Sequence, residues 1–213
     1  MITKLEIPLC PYDSCRLLSI NLFYFVDAPF TNEATFNWEK FKMVSYKAQR
    51  LMDDIVDLEE EKINLILNKI ENDPEPDEIK SVERKLWEKI KEKLLSGRRT
   101  GLSSIGLGDC FAALGHTYAS ESSIILAEEI YKQFAISAYK SSIDMAKERG
   151  AFPIWNADLE EHNPFIQRLL PFLSKEQKGQ GYFSYSGEYI TKGRRNISLL
   201  TIPPSGTISM MAN

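Results

Sequence analysis

The chain of 213 residues is 43% hydrophobic and 26% charged, so it is long and apolar enough to bury a core of its own. Its formal net charge of -4 argues against a surface built for nucleic acid or an anionic membrane, while a local site for a small phosphate compound stays compatible with it. The sequence contains neither the run of roughly 20 apolar residues that crosses a bilayer nor the regions of a signal peptide. We therefore expect a cytoplasmic protein.

The first half of the chain predicts one strand followed by two helices. The apolar run from Leu17 to Val26 is rich in aromatic and β-branched residues, which favours a buried strand. From Thr35 to about Glu71, apolar residues recur at intervals of three and four, as on one face of a helix. The members of this predicted buried face are Phe41, Val44, Ala48, Leu51, Ile55 and Leu58. The acidic pair of Asp53 and Asp54 is predicted to be solvated.

A second helix is predicted between Pro76, which suits a first helical turn, and Gly97, which suits a helix end. Its predicted apolar face comprises Val82, Leu86, Ile90 and Leu94. The glycine-rich segment 101–108 then leads, as a strand or a loop, into a helix for which Asp109 is a candidate cap.

The second half predicts one long helix and one short strand. The helix runs from Ser120 to Arg149 and is stopped by Gly150. Residues 156–193 are predicted to be irregular, and residues 197–202 are predicted to be a short apolar strand. Strands separated by long helices fit an α/β barrel or a layered sheet better than an all-helical bundle.

The three cysteines are an odd number without a framework spacing, so structural disulfides are not expected. We interpret Cys10 and Cys110 as packing residues of the interior. His116 and His162 have no neighbours at a metal-ligand spacing, so the sequence predicts no metal site.

Two segments could carry chemistry. Near the C-terminus, Pro204, Ser205, Gly206 and Thr207 form a small, hydroxyl-rich turn directly after the predicted strand. Such a turn can direct backbone N–H groups at an anion, and a helix that starts there adds the positive end of its dipole. The turn is therefore a candidate phosphate site. The alternative is an ordinary strand-to-helix turn, since it matches neither a Walker A loop nor a dinucleotide fingerprint.

Near the N-terminus, the carboxylate of Glu6 lies a short distance upstream of the thiol of Cys15, which opens the first predicted strand. A carboxylate held in a site can transfer a proton, and a thiol can give up electrons by forming a disulfide. The alternative is a surface glutamate and a buried cysteine.

Taken together, these segments resemble the class II, adenosylcobalamin-dependent ribonucleotide reductases. Residues 6–22 are similar to the family's Pro-Tyr-x-x-Cys stretch and the strand ending in Asn-Leu that follows it. Residues 97–109 are similar to its Arg-Arg-x-Gly-Leu-Gly-x-x-Gly-Leu-x-Asp motif, and residues 194–209 to its strand and phosphate turn. The three segments occur in the family's order across nearly the whole chain.

The resemblance implies a fold and a mechanism. The fold would be part of the family's ten-stranded α/β barrel, with residues 1–213 forming a partial catalytic domain truncated at both ends. In the family a thiyl radical abstracts a hydrogen from the ribose, a glutamate handles a hydroxyl proton, and a cysteine pair supplies electrons. Glu6 matches the glutamate, Cys15 matches one cysteine of the pair, and residues 204–207 match the substrate phosphate turn. Adenosylcobalamin is implied by the resemblance alone.

The departures from the family concern the start of the first segment. Lys4 stands where the radical cysteine belongs, and Ile2 stands where an asparagine belongs. A lysine amine cannot replace a thiol as a hydrogen carrier. The partner of Cys15 belongs to an upstream segment that we do not find in this chain.

Three hypotheses follow. The first is a part of a ribonucleotide reductase that is inactive alone, binds its ribonucleotide substrate weakly, and associates with a complementary reductase chain or with itself. The second is a degenerate, non-catalytic binding or interaction module on the same scaffold. The third is an unrelated α/β protein whose 197–209 segment binds another phosphate compound.

Overall fold

The computed structural model describes residues 7–173 and 192–212. In chain order its elements are strand β1 (Arg16–Asn21), a 3-10 helix (Leu22–Phe25), strands β2 (Val26–Asp27) and β3 (Thr35–Phe36), helices α1 (Trp38–Asn72) and α2 (Asp77–Gly97), strand β4 (Thr100–Ile105), and helices α3 (Leu107–Ala113), α4 (Glu121–Arg149), α5 (Ala157–Glu161), α6 (Pro164–Leu173) and α7 (Gly206–Ala212).

The apolar run that predicts one strand is divided into three elements. β1 ends at Asn21, whose side chain accepts a hydrogen bond of 3.1 Å from the backbone N–H of Phe23. This bond turns the chain into the 3-10 helix, and Val26 resumes an extended conformation in β2. A strand prediction from hydrophobicity alone misses this turn, because both strand and helix here bury apolar side chains.

A parallel sheet organises the described part of the chain. β1 pairs with β4 in parallel, with Leu17 opposite Gly101 and Ser19 opposite Ser103. On the other side of β4, the backbone N–H of Leu102 donates to the carbonyl of Leu199 at 2.7 Å. Residues 198–201 therefore lie beside β4 as a third extended segment, joined to it by an isolated parallel bridge between Leu102 and Leu200. The predicted strand at 197–202 is thus present only as this bridge and not as a regular strand.

The sheet has one face against the helices and one face that carries the candidate site. Ile20 and Leu102 belong to the main apolar core, together with Phe41 of α1 and Phe134 of α4. Because side chains alternate along a strand, Leu17 and Gly101 lie on the opposite face. Leu17 is 50% exposed, so this second face is open among the described residues.

Helix α1 forms where its sequence predicts it, but it turns a different face to the core. Asn37 caps its start by accepting a hydrogen bond from the backbone N–H of Lys40. The predicted face is correct at Phe41 and Ala48, whereas Leu51 and Leu58 are 52% and 57% exposed. The residues that α1 buries are Phe41, Ser45, Ala48, Gln49, Met52, Asp53, Val56, Ile63 and Ile70.

Helix α2 begins just after Pro76 and ends at Gly97, as predicted, and Arg98 then adopts a left-handed conformation with φ of 46°. The predicted apolar face is correct only towards its C-terminus. Leu94 is buried against Val56 and Ile63 of α1, whereas Val82 and Leu86 are exposed.

The glycine-rich segment 101–108 resolves into the end of β4 and the start of α3. Gly106 caps α3 with φ of 71°, and a Cβ at this position would collide with Oδ1 of Asn21. Asp109 lies in the first turn of α3 and is not its cap, so that prediction is wrong.

Helix α4 follows its prediction closely: Ser120 caps it through a hydrogen bond to the backbone N–H of Ser123, and Gly150 ends it. The segment predicted to be irregular is helical in α5 and α6, so that prediction is wrong for residues 157–161 and 164–173. Residues 174–191 lie outside the described part.

The α/β class with long helices between short strands is confirmed. The strands of residues 7–173 and 192–212 do not form a closed barrel. Within these ranges we also find no helix long and apolar enough to span a membrane.

Candidate active site

Cys15 lies at the start of β1, on the open face of the sheet. Its Sγ atom lies 2.7 Å from the position that a Cβ on Gly101 would occupy, and Cγ2 of Thr201 lies 2.8 Å from the same position. The glycine therefore lets the thiol and the Thr201 side chain both pack closely over β4. A strand glycine commonly marks such a close approach.

Two ion pairs hold the segment that carries Cys15. Nε of Arg16 donates to Oε2 of Glu59 on α1 at 2.5 Å, and Nε of Arg99 donates to Oδ2 of Asp13 at 2.7 Å. Both arginines are buried. The residues on either side of Cys15 are thus fixed to α1 and to the chain just before β4, which sets the position of the thiol.

The thiol of Cys15 is half-buried and uncharged at neutral pH. Burial raises its pKa, and this effect outweighs the charges of Arg16 and Arg99, which act to lower the pKa. A protonated thiol near a site is suited to give up hydrogen and electrons together when it forms a disulfide.

The candidate phosphate turn follows the third extended segment directly. Pro204, Ser205, Gly206 and Thr207 are exposed, and α7 starts at Gly206, so the positive end of a short helix faces the turn. A Cβ at Gly206 would meet no atom of the residues that the structure describes within 4 Å.

The thiol and the turn are close enough to serve one ligand. Thr201 lies beside Cys15 over Gly101, and Ser205 is four residues further along the chain. Four extended residues span at most about 14 Å. A phosphate at the turn could thus belong to a molecule that also reaches the thiol.

A buried polar cluster beneath the sheet fixes the strands that carry these groups. We call Asp53, Arg98, Arg149, Arg195 and Asn196 the Asp53 cluster. Asp53 is fully buried on α1, and it accepts from Nε of Arg98 at 2.8 Å and from Nδ2 of Asn196 at 2.8 Å. Arg149 and Arg195 each lie 3.3 Å from its other oxygen.

The cluster ties three elements together through Asn196. Its Oδ1 accepts from Gln49 of α1 at 3.1 Å and from Ser142 of α4 at 3.0 Å, while its Nδ2 also donates to the carbonyl of Arg98. Residues 196–201 therefore start from a fixed point beside β4, which positions Thr201 and the turn after it.

The prediction that Asp53 and Asp54 are both solvated is wrong at Asp53, which is fully buried. The sequence contains a signal for this, because Asp53 lies on the same helical face as Met52 and Val56, and Arg98 and Arg195 stand in two of the recognised motifs. A search for apolar periodicity alone misses the signal, since it treats a carboxylate as a solvated residue.

Three of the residues for which the sequence suggests a role or a lost role, Glu6, Lys4 and Ile2, lie outside the described residues. Cys10 is exposed, so its interpretation as a packing residue is wrong, because Leu9 and Tyr12 around it are exposed as well. Cys110 is fully buried as predicted, and burial raises the pKa of its thiol to about 11.

Among residues 7–173 and 192–212, no group of three or more His, Cys, Asp or Glu side chains is arranged to hold a metal ion. The cavities of about 610 and 290 Å³ that these residues line do not include Cys15 among their walls.

The sequence is similar to known proteins of one family. Residues 5–213 match the family described as "Ribonucleotide reductase, barrel domain". The chain is 28% identical over 207 residues to the vitamin B12-dependent ribonucleoside-diphosphate reductase of Mycobacterium tuberculosis, covering 97% of this chain and 22% of that protein. It is 25% identical over 209 residues to the protein of the same name from Thermoplasma acidophilum, covering 97% of this chain and 20% of that protein.

A shorter match, 27% identical over 130 residues, joins 59% of the chain to 16% of the ribonucleoside-diphosphate reductase large chain of Encephalitozoon cuniculi. The chain thus spans 20–22% of the length of the B12-dependent relatives. The resemblance seen in the three sequence segments is confirmed, and the chain belongs to the barrel-domain family of the ribonucleotide reductases.

Proposed function

We propose that this chain is part of a ribonucleoside-diphosphate reductase and contributes a reducing thiol and a phosphate turn to its active site. The observation that carries the proposal is that Cys15 and Thr201 both pack over Gly101 on the open face of the sheet. This arrangement brings a thiol next to the segment that leads into the turn at residues 204–207. A nucleotide held by its phosphates at the turn would present its ribose towards Cys15.

In the proposed reaction Cys15 is one of two thiols that reduce the ribose. The bond between C2′ and its hydroxyl oxygen breaks, the oxygen leaves as water, and a C2′–H bond forms in its place. The two thiols become a disulfide by losing two electrons and two protons; one proton ends in the water, and the other proton and both electrons end in the C2′–H bond, so the reaction is balanced. Neither Cys10 nor Cys110 matches an active-site cysteine of the family, and Cys110 is buried in the core. The second thiol therefore comes from another segment of the reductase.

Glu6 is proposed to exchange a proton with a ribose hydroxyl, by its match to the family's glutamate. Ser205, Gly206 and Thr207 are proposed to bind the phosphates through backbone N–H groups and hydroxyls, with Pro204 shaping the start of the turn. Since the turn is exposed, we expect this chain alone to bind a ribonucleotide weakly.

We propose further that the chain is catalytically incomplete by itself, as one portion of the ten-stranded barrel. Lys4 stands where the family has the radical cysteine, and the open face beside Leu17 needs a cover. A complementary reductase chain, or a second copy of this one, would supply that cover. The cytoplasmic location stays a prediction.

The cofactor named for the B12-dependent relatives does not fit the described residues by themselves. Neither described cavity borders Cys15, and the face around Leu17 and Gly101 is open. We therefore derive no step through adenosylcobalamin. If the intact reductase uses it, other segments must contribute its pocket, and it would there supply the radical.

Lys4 also favours a second candidate function, a non-catalytic module that keeps the scaffold and binds ribonucleotides or a partner chain. Such a module would keep the fold and the turn, and its binding would not require the thiol of Cys15. Loss of this thiol would therefore abolish the reductase function but leave the binding by a non-catalytic module unchanged.

The test is a reductase assay of the chain alone and of the assembly it forms in a lysate of its source, with adenosylcobalamin and a dithiol present. We expect no deoxyribonucleotide from the chain alone. We expect product from the assembly, and its loss by at least about a thousandfold in Cys15→Ser, as for removal of a reacting group. Cys10→Ser is the matched control and should retain activity, because Cys10 is exposed and matches no active-site cysteine of the family.

Activity of the isolated wild-type chain would refute the proposed incompleteness. An assembly in which Cys15→Ser is as active as wild type would refute the role of the thiol. An assembly that binds ribonucleotide without reducing it would favour the non-catalytic module.

A further inference from the structure

A cavity of about 610 Å³ lies on the helix side of the sheet, away from Cys15. Its walls come from α1, α4 and α6 and include Lys42, Lys132, Gln133, Ser137, Lys140 and Phe172. Its position on the opposite side of the sheet from the open face separates it from the proposed active site. The proposed reaction makes no use of these residues.

Among the described residues that line the cavity, lysines outnumber carboxylates. These residues include Lys42, Lys132 and Lys140, together with the carboxylate of Glu39. A wall of this composition attracts anions, since the charges act across a confined space that is partly shielded from water.

The carboxylates that pair with Lys42 and Lys132 are weak competitors for an anion. Lys42 pairs with Glu39 at 2.9 Å and Lys132 pairs with Glu129 at 2.8 Å, each one turn away on its own helix. The side chains of Glu39 and Glu129 are 88% and 40% exposed. Exposed ion pairs of this kind contribute little. Both lysines can therefore turn towards a bound anion.

Lys140 lies deeper, and its surroundings would favour a bound anion as well. Burial lowers the pKa of Lys140, and the charge of Lys42 adds to this, while the nearby charge of Asp144 raises the pKa. Asp144 also accepts hydrogen bonds from Tyr46 and Lys147, at 2.9 Å each. An anion in the cavity would stabilise the ammonium form of Lys140.

The rest of the wall supplies hydrogen-bond donors and an apolar surface. Ser137 and Gln133 offer a hydroxyl and an amide, and the ring of Phe172 lies 4.9 Å from Nζ of Lys132. Ile136 lines the cavity beside them. This combination suits a molecule with phosphate groups at one end and an apolar or aromatic group at the other.

We propose that this lysine-lined cavity binds a phosphorylated small molecule, with the phosphates between Lys42, Lys132 and Lys140 and the apolar part against Phe172. The site is independent of the proposed reductase chemistry, because it shares no residue with Cys15 or the turn at 204–207.

The test is calorimetric titration of the full chain with tripolyphosphate at low salt. We expect saturable binding that weakens about tenfold in Lys42→Gln, Lys132→Gln and Lys140→Gln, the loss typical of one charged hydrogen bond. Lys47→Gln is the matched control, since Lys47 is exposed on α1 and is not among the residues that line the cavity. Phenyl phosphate should bind more tightly than inorganic phosphate.

Binding at the turn of residues 204–207 instead would be insensitive to the three lysine substitutions. Lys42 and Lys132 have partly exposed side chains, so their variants should fold even if Lys140→Gln does not. Absence of saturable binding, an equal loss in Lys47→Gln, or wild-type affinity in both Lys42→Gln and Lys132→Gln would overturn the proposal. Equal affinity for phenyl and inorganic phosphate would overturn the apolar subsite.

Discussion

Replacement of Asp53 by asparagine is expected to lower the free energy of unfolding by about 3–5 kcal/mol, the usual cost of removing one partner from a buried ion pair. Asp53 is fully buried, and Arg98 and Arg195 beside it have side chains that are 4% and 14% exposed. An asparagine fits the same space and can keep one acceptor oxygen for Arg98 and Asn196, but it removes the negative charge, and its amide nitrogen cannot accept from Arg195. Arg98 would keep the half-exposed carboxylate of Asp57 at 2.6 Å.

Asp54→Asn is the matched control. Asp54 is the next residue on the same helix, its side chain is 46% exposed, and it pairs with Arg149 at 2.9 Å. Exposed pairs contribute about 0–1 kcal/mol, so this variant should be nearly as stable as wild type. Urea unfolding followed by circular dichroism measures both. Equal destabilisation by the two substitutions would show that burial of Asp53 does not decide the stability.

The same residue predicts how stability depends on pH. Burial by itself raises the pKa of Asp53, but the hydrogen bond and charge of Arg98, together with Arg195 and Asn196, outweigh it and hold the pKa below its ordinary value. Because the folded pKa is the lower one, this contribution is present above the unfolded pKa of about 3.9. It is lost as the pH falls through the folded pKa. Asp53→Asn should lack this acid-dependent loss.

Gly101→Val is expected to lower the free energy of unfolding by roughly 1–3 kcal/mol and to displace the thiol of Cys15. An added Cβ would lie 2.7 Å from Sγ of Cys15, 2.8 Å from Thr201 and 2.9 Å from Leu17. Valine is favoured over glycine in strands, so the intrinsic preference acts in the opposite direction. Destabilisation would therefore report the steric contact.

Gly108→Ala is the control for Gly101→Val. A Cβ at Gly108 would meet nothing within 4 Å, and the residue lies inside α3. Alanine should therefore stabilise the helix by about 0.5–1 kcal/mol. Urea unfolding and the alkylation rate of Cys15 measure the outcome. A Gly101→Val chain with wild-type stability and an unchanged thiol would contradict the packing at the site.

The helix ends could be predicted from the sequence because they depend on local chemistry. Ser120 and Gly150 bound α4, and Gly97 ends α2, through hydrogen bonds and backbone conformations that involve only neighbouring residues. The start of α1 was predicted three residues too early, since Asn37 is its cap. Differences of this size are usual at helix ends.

The faces of the helices could not be predicted in the same way, because they depend on contacts far away in the sequence. On α1, Gln49 and Asp53 are buried since Thr100, Arg98 and Asn196 provide their hydrogen-bond partners. Leu51, by contrast, is exposed. A prediction from apolar periodicity assigns all polar residues to the surface, so the buried face that it predicts for α1 differs from the observed one.

In the candidate site, too, local motifs could be predicted from the sequence, whereas a contact between distant segments could not. The motifs identify Cys15 and the turn as separate segments, and their roles in a site stay predictions. The structure adds the residue between them: Gly101 belongs to a recognised motif, yet only the parallel pairing of β1 with β4 brings it beneath Cys15. A pairing of strands so far apart in sequence leaves no local signal.

The most direct test of the account is whether a ribonucleoside diphosphate protects Cys15 from alkylation. At neutral pH, millimolar nucleotide should slow modification of Cys15 and leave exposed Cys10 unchanged, with buried Cys110 unreactive in both cases. Gly206→Ala should reduce the protection by crowding the turn. Peptide mass spectrometry after timed labelling gives the three rates. Unchanged labelling of Cys15 at every nucleotide concentration, or equal slowing of Cys10, would contradict a site that joins the thiol to the phosphate turn.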